Sequence, residues 1–257
     1  MRVVLLLLFS TMWWSACQPN ANTSSKPLQI AVAANMQFAM EALEAAFEAK
    51  HGIVVNVVIG SSGKLAAQIK QGAPYDLLLS ANMKYPNYLQ AEGLAATPPE
   101  VYAFGELVLW TTLDIPLDSL PQVLSTPIIK KIGLANPRNA PYGEAAKQYL
   151  RTKGQWNTLQ DKLVFGENIA QVNQYVLSGA CTLGFTAKSV VLSPNMRGRG
   201  RWVSLSANAY TPIAQGVVQT TYGAAEHALE SATFLQFLKS EEAKVILEQY
   251  GYTINLQ

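Results

Sequence analysis

Two cysteines and two histidines are all that this chain of 257 residues carries. Cys17 and Cys181 lie far apart, and His51 and His227 sit in no recognisable motif. No spacing of Cys, His, Asp or Glu suits a bound metal, and a catalytic cysteine would lack its histidine partner. Charge is scarce as well. Charged residues make up 14% of the chain, and 19 basic against 17 acidic side chains leave a net charge of +2. Such a balance gives no support for nucleic-acid binding. With 49% hydrophobic residues, the chain has material for a large core in one or two domains, and its body is not disordered.

The apolar run at the start, Val3–Phe9, is too short to span a bilayer, which takes about 20 residues. Preceded by Arg2, it reads as a targeting signal over residues 1–16. Trp14-Ser15-Ala16-Cys17 follows. Small residues before a cysteine look like the box in which that cysteine, here Cys17, is lipidated and becomes the new N-terminus. Trp14 stands where an aliphatic residue is usual. Ordinary cleavage after Ala16 is the rival, and it fits worse because it wants a small residue where Trp14 sits. Residues 17–27 then form a flexible, lipid-anchored tether. With Cys17 modified, Cys181 has no disulfide partner and reads as a small buried apolar residue.

Beyond the tether, strand and helix signals alternate. Gln29–Ala34 reads as a strand, and Met36, Ala39, Met40, Leu43, Ala46 and Phe47 recur at helical spacing opposite Glu41, Glu44 and Glu48. Val54–Ile59, Tyr75–Ala81, Ile132–Ala135, Leu163–Phe165 and Leu183–Thr186 read as strands. Leu65–Gln71, Tyr85–Glu92, Leu117–Leu124, Tyr142–Thr152, Ile169–Ser178, Ala224–Lys239 and Glu241–Tyr250 read as helices, and residues 194–201 as a loop. This order predicts an α/β fold. Val101–Thr112 and Pro212–Thr220 are long extended segments. They are expected to carry the chain between two lobes, with crossings near Glu106–Trp110 and Gln215–Val218. Residues 28–105 with 217–257 would form one lobe and 106–216 the other. A cleft between such lobes is where a small ligand binds.

Four strand-to-helix turns could face that cleft: Ala33-Ala34-Asn35, Ser61-Ser62-Gly63, Ala140-Pro141-Tyr142-Gly143 and Asn168-Ile169. Helix starts leave N–H groups unpaired and carry partial positive charge, so several meeting at one point can hold an anion without Arg or Lys. Asn35 could add its side-chain amide and Ser62 its hydroxyl. A single Ser-Ser-Gly turn is usually no more than a helix cap; the joint pattern is what points to a site. Other residues have plainer roles. Asp76, in an apolar strand, is expected to bond nearby backbone. Arg197, Arg199 and Arg201 read as a solvated loop, Trp110, Trp156 and Trp202 as packing, and Lys64 as a solvent-facing stem.

Specific motifs run through the whole body: Ala31-Val32-Ala33-Ala34-Asn35-Met36, Gly60-Ser61-Ser62-Gly63-Lys64-Leu65-Ala66, Gly72-Ala73-Pro74-Tyr75-Asp76-Leu77, Asn136-Pro137 through Ala140-Pro141-Tyr142-Gly143, Glu167-Asn168-Ile169 and Tyr250-Gly251-Tyr252-Thr253-Ile254. In this order and spacing the chain resembles the periplasmic molybdate-binding proteins of ABC uptake systems. The resemblance implies a type II periplasmic-binding-protein fold, in which two lobes, each a mostly parallel sheet flanked by helices, are joined by two crossover strands and close on a tetrahedral oxyanion. It implies a monomer that serves a permease, on the periplasmic or cell-surface side, with molybdate or tungstate as ligand, no cofactor, and molybdenum held only as its oxyanion. The implied ligands are Asn35 and Ser62 from the first lobe and the backbone N–H groups of Tyr142 and Ile169 from the second, with Ala34 and Ser61 as further backbone donors. A tyrosine that many members use falls at Ala187 here, and Asn35 stands where many carry serine, so the resemblance implies the asparagine variant of the ligand set. Sulfate or another tetrahedral oxyanion is the alternative. Hydrolysis is disfavoured, because no His or carboxylate stands in the Ser61-Ser62 turn to activate a nucleophile.

Overall fold

The computed structural model describes residues 26–254; the targeting signal, Cys17 and most of the tether lie outside the described residues. The chain builds two five-stranded sheets. In the first half run β1 (Leu28–Ala33), α1 (Gln37–His51), β2 (Val55–Gly60), α2 (Ser62–Lys70), β3 (Leu77–Ser80), α3 (Lys84–Ala91) and β4 (Glu100–Gly105). Next come β5 (Leu107–Thr111), β6 (Ile132–Ala135), α4 (Pro141–Thr152), β7 (Leu163–Gly166), α5 (Ile169–Leu177), β8 (Leu183–Ala187), α6 (Lys188–Leu192) and β9 (Arg201–Ser204). β10 (Ile213–Gln219), α7 (Thr221–Glu226), α8 (Ala228–Leu238) and α9 (Glu241–Gln249) close the chain.

The first sheet has the order β2-β1-β3-β10-β4 and the second β7-β6-β8-β5-β9. The wiring is the same in both. Three parallel strands are joined through helices, a fourth runs antiparallel to them, and a fifth pairs antiparallel with that one. The reversed strand in each sheet, β10 or β5, lies beside a passage of the chain from one sheet to the other. Both faces of the first sheet are covered, which explains its unbroken apolar runs. Leu28, Ile30, Val32, Leu77, Leu79 and Val217 pack with Met40, Leu43 and Phe47 of α1 and with Phe234 and Leu247 of the closing helices. Ala31, Leu78 and Val218 point to the other face, against Leu65, Ile69 and Leu89. Helix α1 stops at Gly52, whose left-handed backbone (φ 66°) lets its N–H cap Glu48 O at 2.8 Å.

Several elements depart from the sequence expectation. Val101–Thr112 is two strands, because β4 pairs in the first sheet and β5 in the second, with Glu106 alone between them. Both halves are equally apolar, so periodicity gave no sign of the break. The second passage lies before Ile213 rather than near Gln215–Val218, since Ile213 is already paired with Gly105; residues 213–216 therefore belong to the first sheet. Leu117–Leu124 is not a helix. Pro121 removes a backbone donor, and only a short 3-10 turn forms, at Gln122–Ser125. The loop after residue 194 ends in the edge strand β9, and α6 was not anticipated.

Ala224–Lys239 is broken at His227 (φ −139°, ψ 50°) into α7 and α8. The break turns the His227 ring into the interior, where Nδ1 lies 2.9 Å from Asp76 Oδ1. Asp76 is fully buried, and its Oδ2 accepts the Gln29 N–H at 2.6 Å. The carboxyl thus bonds backbone, as expected, and also ties β3 to the closing helices. His227→Ala would leave one carboxyl oxygen buried without a partner. We expect a loss of about 3 kcal/mol in unfolding free energy, read as a lower urea midpoint at unchanged slope.

Candidate anion-binding site

The four turns singled out in the sequence meet around one small cavity. Ala33, Ala34 and Asn35 line it from the end of β1, Gly60, Ser61 and Ser62 from the β2–α2 turn, Ala140, Pro141 and Tyr142 from the start of α4, and Asn168 and Ile169 from the start of α5; Ala81 completes the wall. All six residues expected at the site, Ala34, Asn35, Ser61, Ser62, Tyr142 and Ile169, are among them. Among the described residues, no acidic or basic side chain lines the cavity.

The sequence puts unpaired donors here by its choice of helix starts. Pro141 occupies the first position of α4 and has no N–H, so Tyr142 carries that helix's first amide, which has no intrahelical partner. At α5 the Asn168 side chain accepts the Gln171 N–H at 3.1 Å, while the Ile169 N–H is left without an intrahelical partner. Ser62 Oγ is fully buried and accepts the Ala81 N–H at 3.0 Å; a hydroxyl that accepts keeps its own proton to donate. Ser61 Oγ is buried with no protein partner.

Tyr142 is buried and its hydroxyl has no partner. Burial holds its pKa well above the usual phenol value, with Tyr252 and Tyr210 adding to the effect, so the ring stays neutral. Its tip lies against Gly105, at the end of β4. The ring therefore reaches from the cavity to the junction between the sheets.

Asn35 departs from expectation in one respect. Its side-chain amide is already engaged, since Nδ2 donates to Gln215 Oε1 and to Tyr252 Oη, each at 2.8 Å. Asn35 Oδ1 is buried without a partner. The same network holds the Asn35 carbonyl, which accepts from Ser189 Oγ at 2.7 Å and from Tyr252 Oη at 3.0 Å. Gln215 is fixed in turn by its Nε2 donating to Ile213 O at 3.0 Å. The Asn35 side chain thus pins the turn from behind, and what the turn can offer an anion is backbone N–H. Gln215, Ser189 and Tyr252 were missed as partners of the site. Tyr252 stands in the closing motif, but no local signal marks the other two.

The remaining sequence expectations fall away from the cavity. Ala187 is buried at the end of β8 and does not line it. Trp110 packs in the core and donates to Arg199 O at 2.7 Å, while Trp202 is an exposed edge residue. Lys64 is not a free stem, because it pairs at 2.9 Å with Glu167, across the seam between the two halves.

Over residues 28–253 the chain matches the family model described as bacterial extracellular solute-binding protein. The chain belongs to that family. Among curated relatives of this solute-binding protein, the molybdate-binding protein ModA of Rhodobacter capsulatus is 36% identical over 223 residues, 86% of each chain. ModA of Azotobacter vinelandii is 35% identical over 226 residues, 88% of this chain and 89% of the relative. The solved periplasmic molybdate-binding protein of Azotobacter vinelandii superposes with a TM-score of 0.84 at 31% identity, covering 89% of this chain and all of that one.

Two expectations follow from the geometry. Ser62→Ala removes one donor to an anion and orphans the Ala81 N–H, so affinity should fall about 10- to 100-fold in calorimetry, the range for a hydrogen bond to a charged group. Among the described residues, Tyr142, with its raised pKa, is the only titratable side chain lining the cavity. Affinity for an anion that keeps its charge should therefore be flat from about pH 6 to about pH 9, and a steep change inside that window would mean that a charged group lies at the site.

Proposed function

We propose that this solute-binding protein captures molybdate, and tungstate with it, between its two sheets and delivers it to an ABC permease. One observation carries the proposal. Four helix starts and two serine hydroxyls converge on a small cavity that, among the described residues, no charged side chain lines. Molybdate and tungstate are unprotonated dianions near neutral pH. They need donors on all sides and no acceptor, which is what helix N-termini supply. The molybdate-binding relatives, similar over most of the chain, support the same ligand. No cofactor enters this reading, and molybdenum is held only through its oxygens. An enzymatic role finds no support, because among the described residues no His or carboxylate lines the cavity beside Ser61 or Ser62.

Asn35 Oδ1 favours a second reading. It is a buried acceptor without a donor on a residue that lines the cavity, and a protonated oxyanion such as hydrogen phosphate could supply that donor. Sulfate, like molybdate, carries no proton, so only fit separates those two.

Calorimetry of the mature protein with molybdate, tungstate, sulfate and phosphate decides among them. Molybdate and tungstate should bind at least about 100-fold more tightly than sulfate or phosphate, about 2.7 kcal/mol. Equal sulfate affinity would sink the proposal, and phosphate binding most tightly would establish the second reading. The rest of the reading is a monomer on the outer side of the cytoplasmic membrane, tethered through lipid on Cys17. Cys17→Ser should move the protein from the membrane to the soluble fraction, and continued attachment would refute the anchor.

A further inference from the structure

We infer that Gly63 sets how far the two lobes close, and through closure which oxyanion fits. The inference rests on the oxyanion reading above. Gly63 is the second residue of α2 and has no left-handed backbone. Nothing in its local conformation calls for glycine, and alanine is the better helix former there. What calls for glycine lies across the seam. The Gly63 N–H donates to Asn139 O at 2.9 Å, joining the start of α2 to the segment that leads into α4. A Cβ on residue 63 would stand 2.8 Å from Asn139 Cβ, 3.0 Å from Asn139 Cα and 2.8 Å from Tyr85 Oη. The first two belong to the main chain or its first side-chain atom and cannot swing aside. Tyr85 Oη is itself engaged, donating to Arg138 O at 3.3 Å.

The contact is one residue away from the donor Ser62 and three residues away from the first free amide of α4, at Tyr142. Ser61 and Ser62 precede Gly63, and Ala140, Pro141 and Tyr142 follow Asn139; all five line the cavity. A seam held apart at Gly63 therefore separates the two sets of donors directly. A neutral cavity cannot sort anions of equal charge electrostatically, so the distance between its walls must do the sorting, and the bare backbone of Gly63 permits the short distance. The nearby Lys64–Glu167 pair also crosses the seam, but both side chains are about half exposed. Water and salt screen such a pair, so it is not what fixes the separation.

Gly63→Ala tests this against wild type, by calorimetry and stopped-flow release with molybdate and sulfate. The molybdate Kd should rise at least about tenfold, mainly through faster release, while sulfate affinity changes less than about threefold, so that the preference narrows. The melting temperature of the unliganded variant should equal or exceed that of wild type, because alanine favours the helix. Gly63→Ala combined with Asn139→Gly, which removes the Cβ in the way, should regain part of the molybdate affinity. Lys64→Ala should shift it by less than about threefold. Unchanged molybdate binding in Gly63→Ala overturns the inference, as does a loss accompanied by a lower unliganded melting temperature. Wild type that prefers another oxyanion overturns the molybdate reading alone, and the same variant then tests closure on that anion. Wild type that binds no oxyanion overturns both.

Discussion

The site depends on one constraint of the peptide chain: the first amides of a helix have no carbonyl to bond within that helix. In most proteins water or a cap answers this need. Here α2, α4, α5 and the short turn at Ala34–Met36 all begin at the same small cavity. Caps are supplied only in part. Asn168 answers the Gln171 N–H, whereas Ser61 and Ala140 make no side-chain cap at all. Donors left without protein partners, gathered in a place water reaches poorly, are costly unless an acceptor arrives. An oxyanion supplies several acceptors at once, and neutral donors hold it without the pH dependence that a lysine or histidine would bring.

The two sheets exist to bring those helix starts face to face. Each presents two neighbouring parallel strands that lead to turns at the cavity. β1 ends at Ala33 and feeds the Asn35 turn, and β2 ends at Gly60 and feeds Ser61. In the other half, β6 ends at Ala135 ahead of the 136–140 segment, and β7 ends at Gly166 ahead of Asn168. The shared wiring places equivalent strand ends on opposite walls. Behind the first wall, the buried chain of Asn35, Gln215, Tyr252 and Ser189 joins four separate stretches of sequence. It ties a three-residue turn to distant parts of the chain. Removing the Asn35 side chain would free Gln215 and Tyr252 along with the turn.

Much of this was legible in the sequence, for a physical reason. Strand ends, caps and helix starts are local events, and Ser61-Ser62-Gly63, Ala140-Pro141-Tyr142 and Asn168-Ile169 announce themselves through residues whose chemistry suits those positions. The passage at Glu106 was not legible, since a strand that leaves one sheet for another keeps the same apolar pattern on both sides. The strand β9 was hidden because it is short, polar and at an edge. Gln215 and Ser189 were invisible as partners of Asn35 because they lie 180 and 154 residues away. A polar residue in a strand or at a helix start says nothing by itself about which distant carbonyl it will meet. His227 was set aside because no motif surrounded it, yet its broken helix and its place beside Asp76 are tertiary facts that only the packed structure supplies.

Selectivity is where these observations bear hardest on one another. Molybdate, tungstate and sulfate carry the same charge and the same tetrahedral arrangement of acceptors, so a ring of neutral donors attracts all three. Sorting them requires walls that cannot follow a smaller anion inward. The first wall is rigid because Asn35, Gln215 and Tyr252 lock it. On the second wall the buried ring of Tyr142 reaches to Gly105, at the end of β4 in the first sheet. The distance between the walls is then the variable that sorts, and on the reading above it is set where backbone meets backbone, at Gly63 and Asn139. A methyl group at that contact, outside the cavity and away from any ligand, would therefore change the preference among anions that the cavity's own side chains cannot tell apart by charge.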